Sequence, residues 1–593
     1  MAHQKRLVLF LCLLVICGCG TDVEKPTANN LTPRMAIPAS QVGGSSAAAE
    51  SNQKQITLAA GQVARTQFEA TIIDTTKFDR AVWRTRPYDG PVRDVESIRG
   101  GEQDPPPIRI GQPNDLAVNG GVAEYSRLEP VSRFPGITQS LFTPPDPTLA
   151  VGPSHIVEMV NTEIAFITKT GEIEFQAILG DQGDPGFFEE VGAGGFCVDP
   201  RCVYDQFAER FVVLCLEVYF DPPESFLTMA VSDDDDPNGI WFKYRTDAAY
   251  DVDNTLNFPD YPSLGYDANG YYISGNLFGI DDFDFRGVSF RTIDKTPLLT
   301  GDPIVVNDTI VDDFSINSVQ MAQYFGDQSR PLAVSVNNNS SLTLIALDDP
   351  FGSLNVLTQS VPIPTFDGAN GAENNGGFIS TVGSRAMNAH VRGDKFFTCN
   401  TVSISGQDLA RWYEFNLNGW PGSTPPNLIQ SGDINFGNGI ETFFPAIYSN
   451  DAGSVALVYG RSSSNEFISV NASGRYVDDP LGTMSEMAQF EVSSSVANGR
   501  FGDYFDIAID PTNDSTFWIV GETEESFGWN TVVNSFVIPL IGDVNCDGSL
   551  DLLDVAPFID ALNGGVFVEK ADINQDGVLN LLDVSPFIEL LSN

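Results

Sequence analysis

One unit recurs from about residue 135 to residue 540 and limits the folds open to this chain. It has an aromatic or Asp-Pro lead-in, an apolar strand, a Gly/Asn/Asp turn and a second apolar strand. It is visible in PPDPTLAVGPSHIVEMVNTEIAFITKTGE, in FPDYPSLGYDANGYYISGNLF and in FFPAIYSNDAGSVALVYGRSSSNEFISV, where YDANG and SNDAG read as hairpin turns. The units begin near residues 144, 199, 258, 330, 383, 443 and 500, a spacing of roughly 45–70 residues. Each supplies three or four short strands that cannot bury both faces alone. Radial stacking buries them and leaves only short edges. The expected fold is mainly β: a seven-bladed β-propeller over 135–540, with six or eight blades as variants. Two or more β-sandwiches are the alternative.

Outside that span the chain changes character. Lys5 and Arg6 precede an apolar run, Leu7 to Cys17, too short to span a bilayer and typical of an export signal. Residues 20–60 are rich in Ser, Ala, Asn, Gln, Thr and Pro and read as a flexible tether. Residues 61–134 are an N-terminal extension without an assigned role. With 32 basic and 79 acidic residues the formal charge is −47, which excludes nucleic acid and anionic lipid surfaces as partners.

Candidate chemistry in the 135–540 body is sparse. The three histidines are His3, His155 and His390, and no GxSxG elbow is present, so a Ser-His-Asp hydrolase has few places to form. A carboxylate pair for glycoside hydrolysis has many candidates, but sequence spacing does not reveal their separation. Ser232 to Gly239, SDDDDPNG, reads as a solvated acidic loop. Cys197 and Cys202 in CVDPRC are near enough in sequence to form a disulfide in an oxidising compartment, whereas Cys215 and Cys399 sit in strand-like runs as buried thiols.

The tail carries the sharpest signal. In GDVNCDGSLDLLDVAPFID, oxygen-bearing side chains alternate from Asp543: Asp543, Asn545, Asp547, Gly548, Ser549, Asp551 and Asp554 fill positions 1, 3, 5, 6, 7, 9 and 12 of a calcium loop. Asp572, Asn574, Asp576, Gly577, Val578, Asn580 and Asp583 repeat the pattern 29 residues later. Ser549 and Val578 would contribute backbone carbonyls. The glycine permits the bend at position 6. Four carboxylates in the first loop and three in the second repel one another, so calcium binding is expected to couple to folding. LLDVAPFIDAL and LLDVSPFIELL then read as two helices packed antiparallel through Leu553, Val555, Phe558, Ile559 and Leu562 against Leu582, Val584, Phe587, Ile588 and Leu591. Pro557 and Pro586 fit their first turns.

Three resemblances follow from these residues. ICGC, with Ile16, Gly18 and Cys19, resembles a bacterial lipobox, which implies a 1–19 lipoprotein signal and lipidation of Cys19. DPTLAVGPSHIVEMVN and GRFGDYFDIAIDPTNDSTFWIVGE resemble secreted bacterial β-propeller proteins. The duplicated loop–helix pair, 541–593, resembles a type I dockerin of a planctomycete-like variant. This implies two calcium ions and docking to a cohesin-like partner. Where many dockerins carry Ser-Thr, this chain has Leu552-Leu553 and Leu581-Leu582; where basic residues often follow, it has Ile559-Asp560 and Ile588-Glu589. The expectation is an exported protein of the cell envelope or exterior, touching membrane only through its lipid anchor. Its propeller would bind glycan or protein. The alternative is a secreted polysaccharide-degrading glycoside hydrolase carrying a dockerin.

Overall fold

A computed structural model describes residues 56–57, 60–78, 93–94, 108–112, 114, 116–118, 122–126, 128–140, 142–181, 186–326, 330–437, 439–545, 550–564, 567–574 and 577–591. The export signal with Cys19 and most of the tether lie outside the described residues. The chain divides into two compact units, with one boundary between Ile538 and Pro539.

The larger unit is a β-propeller arrangement of antiparallel meanders. Inner strands Thr148–Val151, Cys197–Asp205, Thr255–Tyr266, Gln320–Met321, Ala386–Arg392, Ile440–Ser449 and Asp506–Ile509 each touch the next, and the last returns to the first. Five sheets stand as separate four- or five-stranded blades, not the seven expected from unit spacing. The units beginning near 258 and 383 each form a four-stranded meander. The short strand Gln323–Phe325 pairs in parallel with Thr255–Tyr266 on one side and Ala386–Arg392 on the other, merging both into one 12-stranded sheet.

The 61–134 segment supplies edges. Ala64–Phe68 lies outside Ile304–Val311, and Thr71–Asp74 lies outside Ile240–Asp247. Strand Glu129–Thr138, which straddles residue 135, pairs with Gly528–Val537 and completes the sheet containing the most C-terminal strands of the body. The ring is thus closed by hydrogen bonds between strands about 400 residues apart, as in Phe134 opposite Val533.

Proline marks the lead-ins. Asp146, Asp199, Tyr261 and Phe444 each precede a proline and have φ of 50°, 51°, 52° and 49°. Such a left-handed backbone is uncommon away from glycine. Three of these sites coincide with register shifts: between Val198 and Arg201, Asp260 and Ser263, and Phe443 and Ala446. Bulges of this kind re-aim side chains, here at the inner ends of the sheets.

Large aromatic residues fill the seams. Trp529 is buried at the closing sheet, and its indole N–H donates to the Phe142 carbonyl at 3.0 Å. Trp529→Ala is expected to lower the unfolding free energy by about 3–5 kcal/mol, measured by urea denaturation.

Candidate functional site

The inner strands converge on a polar, filled axis. The Arg201 guanidinium lies 3.7 Å from the Tyr504 ring centroid and 5.3 Å from that of Tyr261. Arg385, immediately before strand Ala386–Arg392, approaches Tyr261 at 4.8 Å. Arg201 Nε donates to the Pro262 carbonyl at 2.9 Å, and the Tyr504 hydroxyl donates to the Pro200 carbonyl at 2.8 Å. The carboxylates here serve the fold. Asp146 accepts from Asn161 Nδ2 at 2.6 Å and from the Asp503 amide at 2.7 Å. Asp199 accepts from the Tyr261 amide at 3.2 Å. Asp506 accepts from Thr148 Oγ1 at 2.7 Å and the Leu149 amide at 3.1 Å; burial raises its pKa.

Both body histidines are buried and hydrogen-bonded within the fold. His390 is fully buried, its ring 4.7 Å from those of Phe397 and Tyr448. The Ser449 amide donates to its Nε2 at 3.1 Å, and burial, then Arg392, hold its pKa well below the usual value. His155 contacts Ser154 Oγ through Nδ1 at 2.8 Å and Glu174 through Nε2 at 3.0 Å, and Asp236 of the acidic loop lies 3.6 Å from Nδ1. The loop is therefore fastened to a neighbouring sheet rather than freely solvated.

The expected Cys197–Cys202 disulfide is absent: both are buried free thiols. They lie on one strand, Cys197–Asp205. Five steps of extended chain span roughly 15 Å, beyond the ~7 Å Cα separation a disulfide tolerates. The Cys197 thiol instead meets Cys215, and that contact and burial raise its pKa. Cys202 lies 3.7 Å from Thr148 Oγ1.

The described parts of the two tail loops repeat one another's hydrogen bonds. Asp554 accepts from the Asn545 and Asp551 amides at 3.0 and 2.9 Å; Asp583 accepts from the Asn574 and Asn580 amides at 3.1 and 2.8 Å. Position 12 thus ties positions 3 and 9 together in both loops. Position 9 turns toward the helix: the Asp551 side chain accepts from the Leu553 amide and the Asn580 side chain from the Leu582 amide, at 2.7 and 2.8 Å. The Val578 carbonyl accepts from Asn580 Nδ2 at 2.9 Å. Helices Val555–Gly564 and Val584–Leu590 pack through Phe558 and Phe587, with centroids 4.0 Å apart. Leu550 and Leu579, at position 8, join that core.

These residues fit a divalent cation. Asp543, Asp554, Asp572 and Asp583 are at most 4% exposed, and Lys570 is the sole basic residue between Gly542 and Asn593. Buried carboxylates gathered in one small unit are costly without compensating positive charge, and all the donors are hard oxygens. Asp547, Ser549 and Asp576 lie outside the described residues. Among the described residues alone, no group of three or more His, Cys, Asp or Glu is assembled for a metal.

Residues 541–592 match the dockerin type I domain. Dockerin domains bind calcium and dock to partner proteins, and they occur in extracellular or cell-surface proteins. No curated protein matches the chain. Among solved structures, a protein of unknown function from Dyadobacter fermentans is similar at 11% identity and TM-score 0.35, over 58% of this chain and 95% of its own. Kluyveromyces lactis Hsv2 is similar at 10% identity and TM-score 0.31, covering 66% and 98%. The GH43 endo-arabinanase of Bacillus licheniformis is similar at 10% identity and TM-score 0.25, covering 49% and 96%. With TM-scores below 0.5, these likenesses carry no argument about activity.

The dockerin corrects one packing expectation. Val555, Phe558, Leu562, Val584, Phe587 and Leu591 form its core, but Leu553, Ile559, Leu582 and Ile588 do not. Leu552, Leu553, Leu581 and Leu582 are 66–82% exposed, and Ile559 and Ile588 are about half exposed. Asp554 and Asp583 face the loop, which turns the preceding leucines outward.

A different buried acid lies between the closing sheet and its neighbour. Glu158 is fully buried; it accepts from the Ile137 amide at 3.1 Å and meets the Thr531 hydroxyl, which donates to the Ile137 carbonyl at 2.9 Å. The Thr531 hydroxyl also lies within donating reach of the Glu158 carboxylate, and this contact and the Ile137 amide pull its pKa down against the larger effect of burial. Burial pushes its pKa up to about 7. A raised carboxyl pKa stabilises the folded state at low pH, and this contribution fades as pH rises from about 4.5 to about 7. Glu158→Gln is expected to leave the melting temperature near pH 4.5 unchanged and raise it by several degrees at pH 8, measured by calorimetry.

Proposed function

We propose that this is an exported surface protein that displays a non-catalytic β-propeller and is coupled to a partner protein by a two-calcium dockerin. The repetition of the same hydrogen bonds in both tail loops carries the two-ion reading. One ion would be held by Asp543, Asn545, Asp547, Asp551, Asp554 and the Ser549 carbonyl; the other by Asp572, Asn574, Asp576, Asn580, Asp583 and the Val578 carbonyl. Calcium would offset the repulsion among these acids and fix the loops beside the helices.

The exposed leucine pairs define the docking face. Apolar side chains this accessible, repeated on a small domain, mark an interaction surface. They suit a cohesin-like partner with an apolar centre, and the domain's acidic rim suits basic residues around it. Cys19 would carry the lipid that holds the chain at the cell envelope.

For the propeller, the axis crossed by Arg201, Tyr504, Tyr261 and Arg385 favours a binding body for glycan or protein over a hydrolase. Those side chains occupy the axis, where a glycosidase needs an open acid pair.

Calorimetry on the full chain should give two calcium sites, with Asp554→Ala and Asp583→Ala each removing one; a flat titration would overturn the dockerin reading. Leu552→Asp with Leu581→Asp should leave calcium binding intact and weaken partner capture at least ~100-fold. Polysaccharide hydrolysis that persists in the pure protein would restore the glycoside-hydrolase alternative.

A further inference from the structure

A cleft of ≈ 460 Å³ is lined by residues from two neighbouring sheets. On one side is the turn Asp267–Asn269, which joins strands Thr255–Tyr266 and Gly270–Gly279. On the other is the turn after strand Ser341–Asp348, carrying Phe351. The Tyr272 and Phe351 rings face each other across it, centroids 6.3 Å apart and 23° from parallel.

Asp267 lines this cleft and is 1% exposed. Its Oδ1 is saturated: it accepts from the Asn269 amide at 2.8 Å, the Gly270 amide at 3.1 Å and the Tyr272 hydroxyl at 2.9 Å. Its Oδ2 has no hydrogen-bond partner among the described residues. A buried acceptor left unmade costs about 1–3 kcal/mol, and more when charged.

Several other carboxylates within the body pair with a cation. Glu217 pairs with Arg245 at 2.9 Å, Asp308 with Arg291 at 2.7 Å, and Asp433 with Arg411 at 2.5 Å. Around Asp267 no cation is hydrogen-bonded to the carboxylate among the described residues, and Lys295 acts on it only through space. Lys295 gives its ammonium to Asp205 at 2.5 Å and to the Asp267 carbonyl oxygen. Arg330, the one basic residue lining the cleft, donates to the Trp420 carbonyl at 3.0 Å. Asp294, Asp348 and Asp349 add negative charge at the rim.

We propose that this cleft binds a small ligand through a primary ammonium group, which donates to Asp267 Oδ2 while its carbon skeleton lies against Tyr272 and Phe351. A cation matches the excess of carboxylates, and a charge-assisted bond to a buried carboxylate is roughly twice as strong as a neutral one. Both aromatic faces attract a cation as well. A neutral hydroxyl would satisfy the geometry without answering the charge.

The test compares glucosamine with glucose on the full-length protein at fixed ionic strength, read by calorimetry or ligand-observed NMR. Glucosamine should bind at least ~tenfold more tightly than glucose. In Asp267→Asn, whose amide oxygen still accepts from Asn269 and Gly270, glucosamine should fall to the glucose level. Equal binding of the two sugars, binding of neither, or undiminished glucosamine binding by Asp267→Asn would overturn the proposal. If the variant does not fold, the wild-type comparison decides by itself.

Discussion

The pairing of strand Glu129–Thr138 with strand Gly528–Val537 is the junction on which the propeller depends. Each sheet buries its faces only against its two neighbours. Without that junction, the first and last sheets of the ring would expose Phe134, Ile156, Trp518 and Val533, which now share one core. Glu158, Thr531 and Ile137 sit at the same seam, so its polar network and its apolar packing stand or fall together.

Within the ring, polar groups are handled sheet by sheet. Arg291 and Arg411 each neutralise one carboxylate on an adjoining strand, and Arg245 one that lies two strands away in the same sheet. These pairs are weak evidence for stability in themselves, but breaking one leaves a buried charge. Such pairing explains how a body with so many acids can place several inside. At Asp267 the turn is fixed through one carboxylate oxygen, while the second has no hydrogen-bond partner among the described residues.

Much of this was legible in the residues. Asp-Pro and aromatic-Pro lead-ins mark the inner ends of the sheets, where Asp146, Asp199, Tyr261 and Phe444 take left-handed backbone. The alternating oxygen ligands of the tail fix which groups turn inward, and Asp554 and Asp583 do so in register. Less legible were features set by long-range geometry. Gln323–Phe325 is too short to signal that it joins two meanders. CVDPRC looks like a disulfide pair until the strand extends and carries its ends apart. Leucine beside leucine in LLDV suggests a core, and only the inward turn of the aspartate reverses that.

The closing strand also sets an order of events. Its partner strand is made about 400 residues later, so during synthesis or passage across a membrane the early strand must wait. A chain that stops short of Val537 has an unpaired edge and an open wedge in place of a sealed ring. Ring closure therefore depends on length: quality control that reads exposed sheet edges would recognise a copy terminated before the closing strand, but not one terminated after Val537.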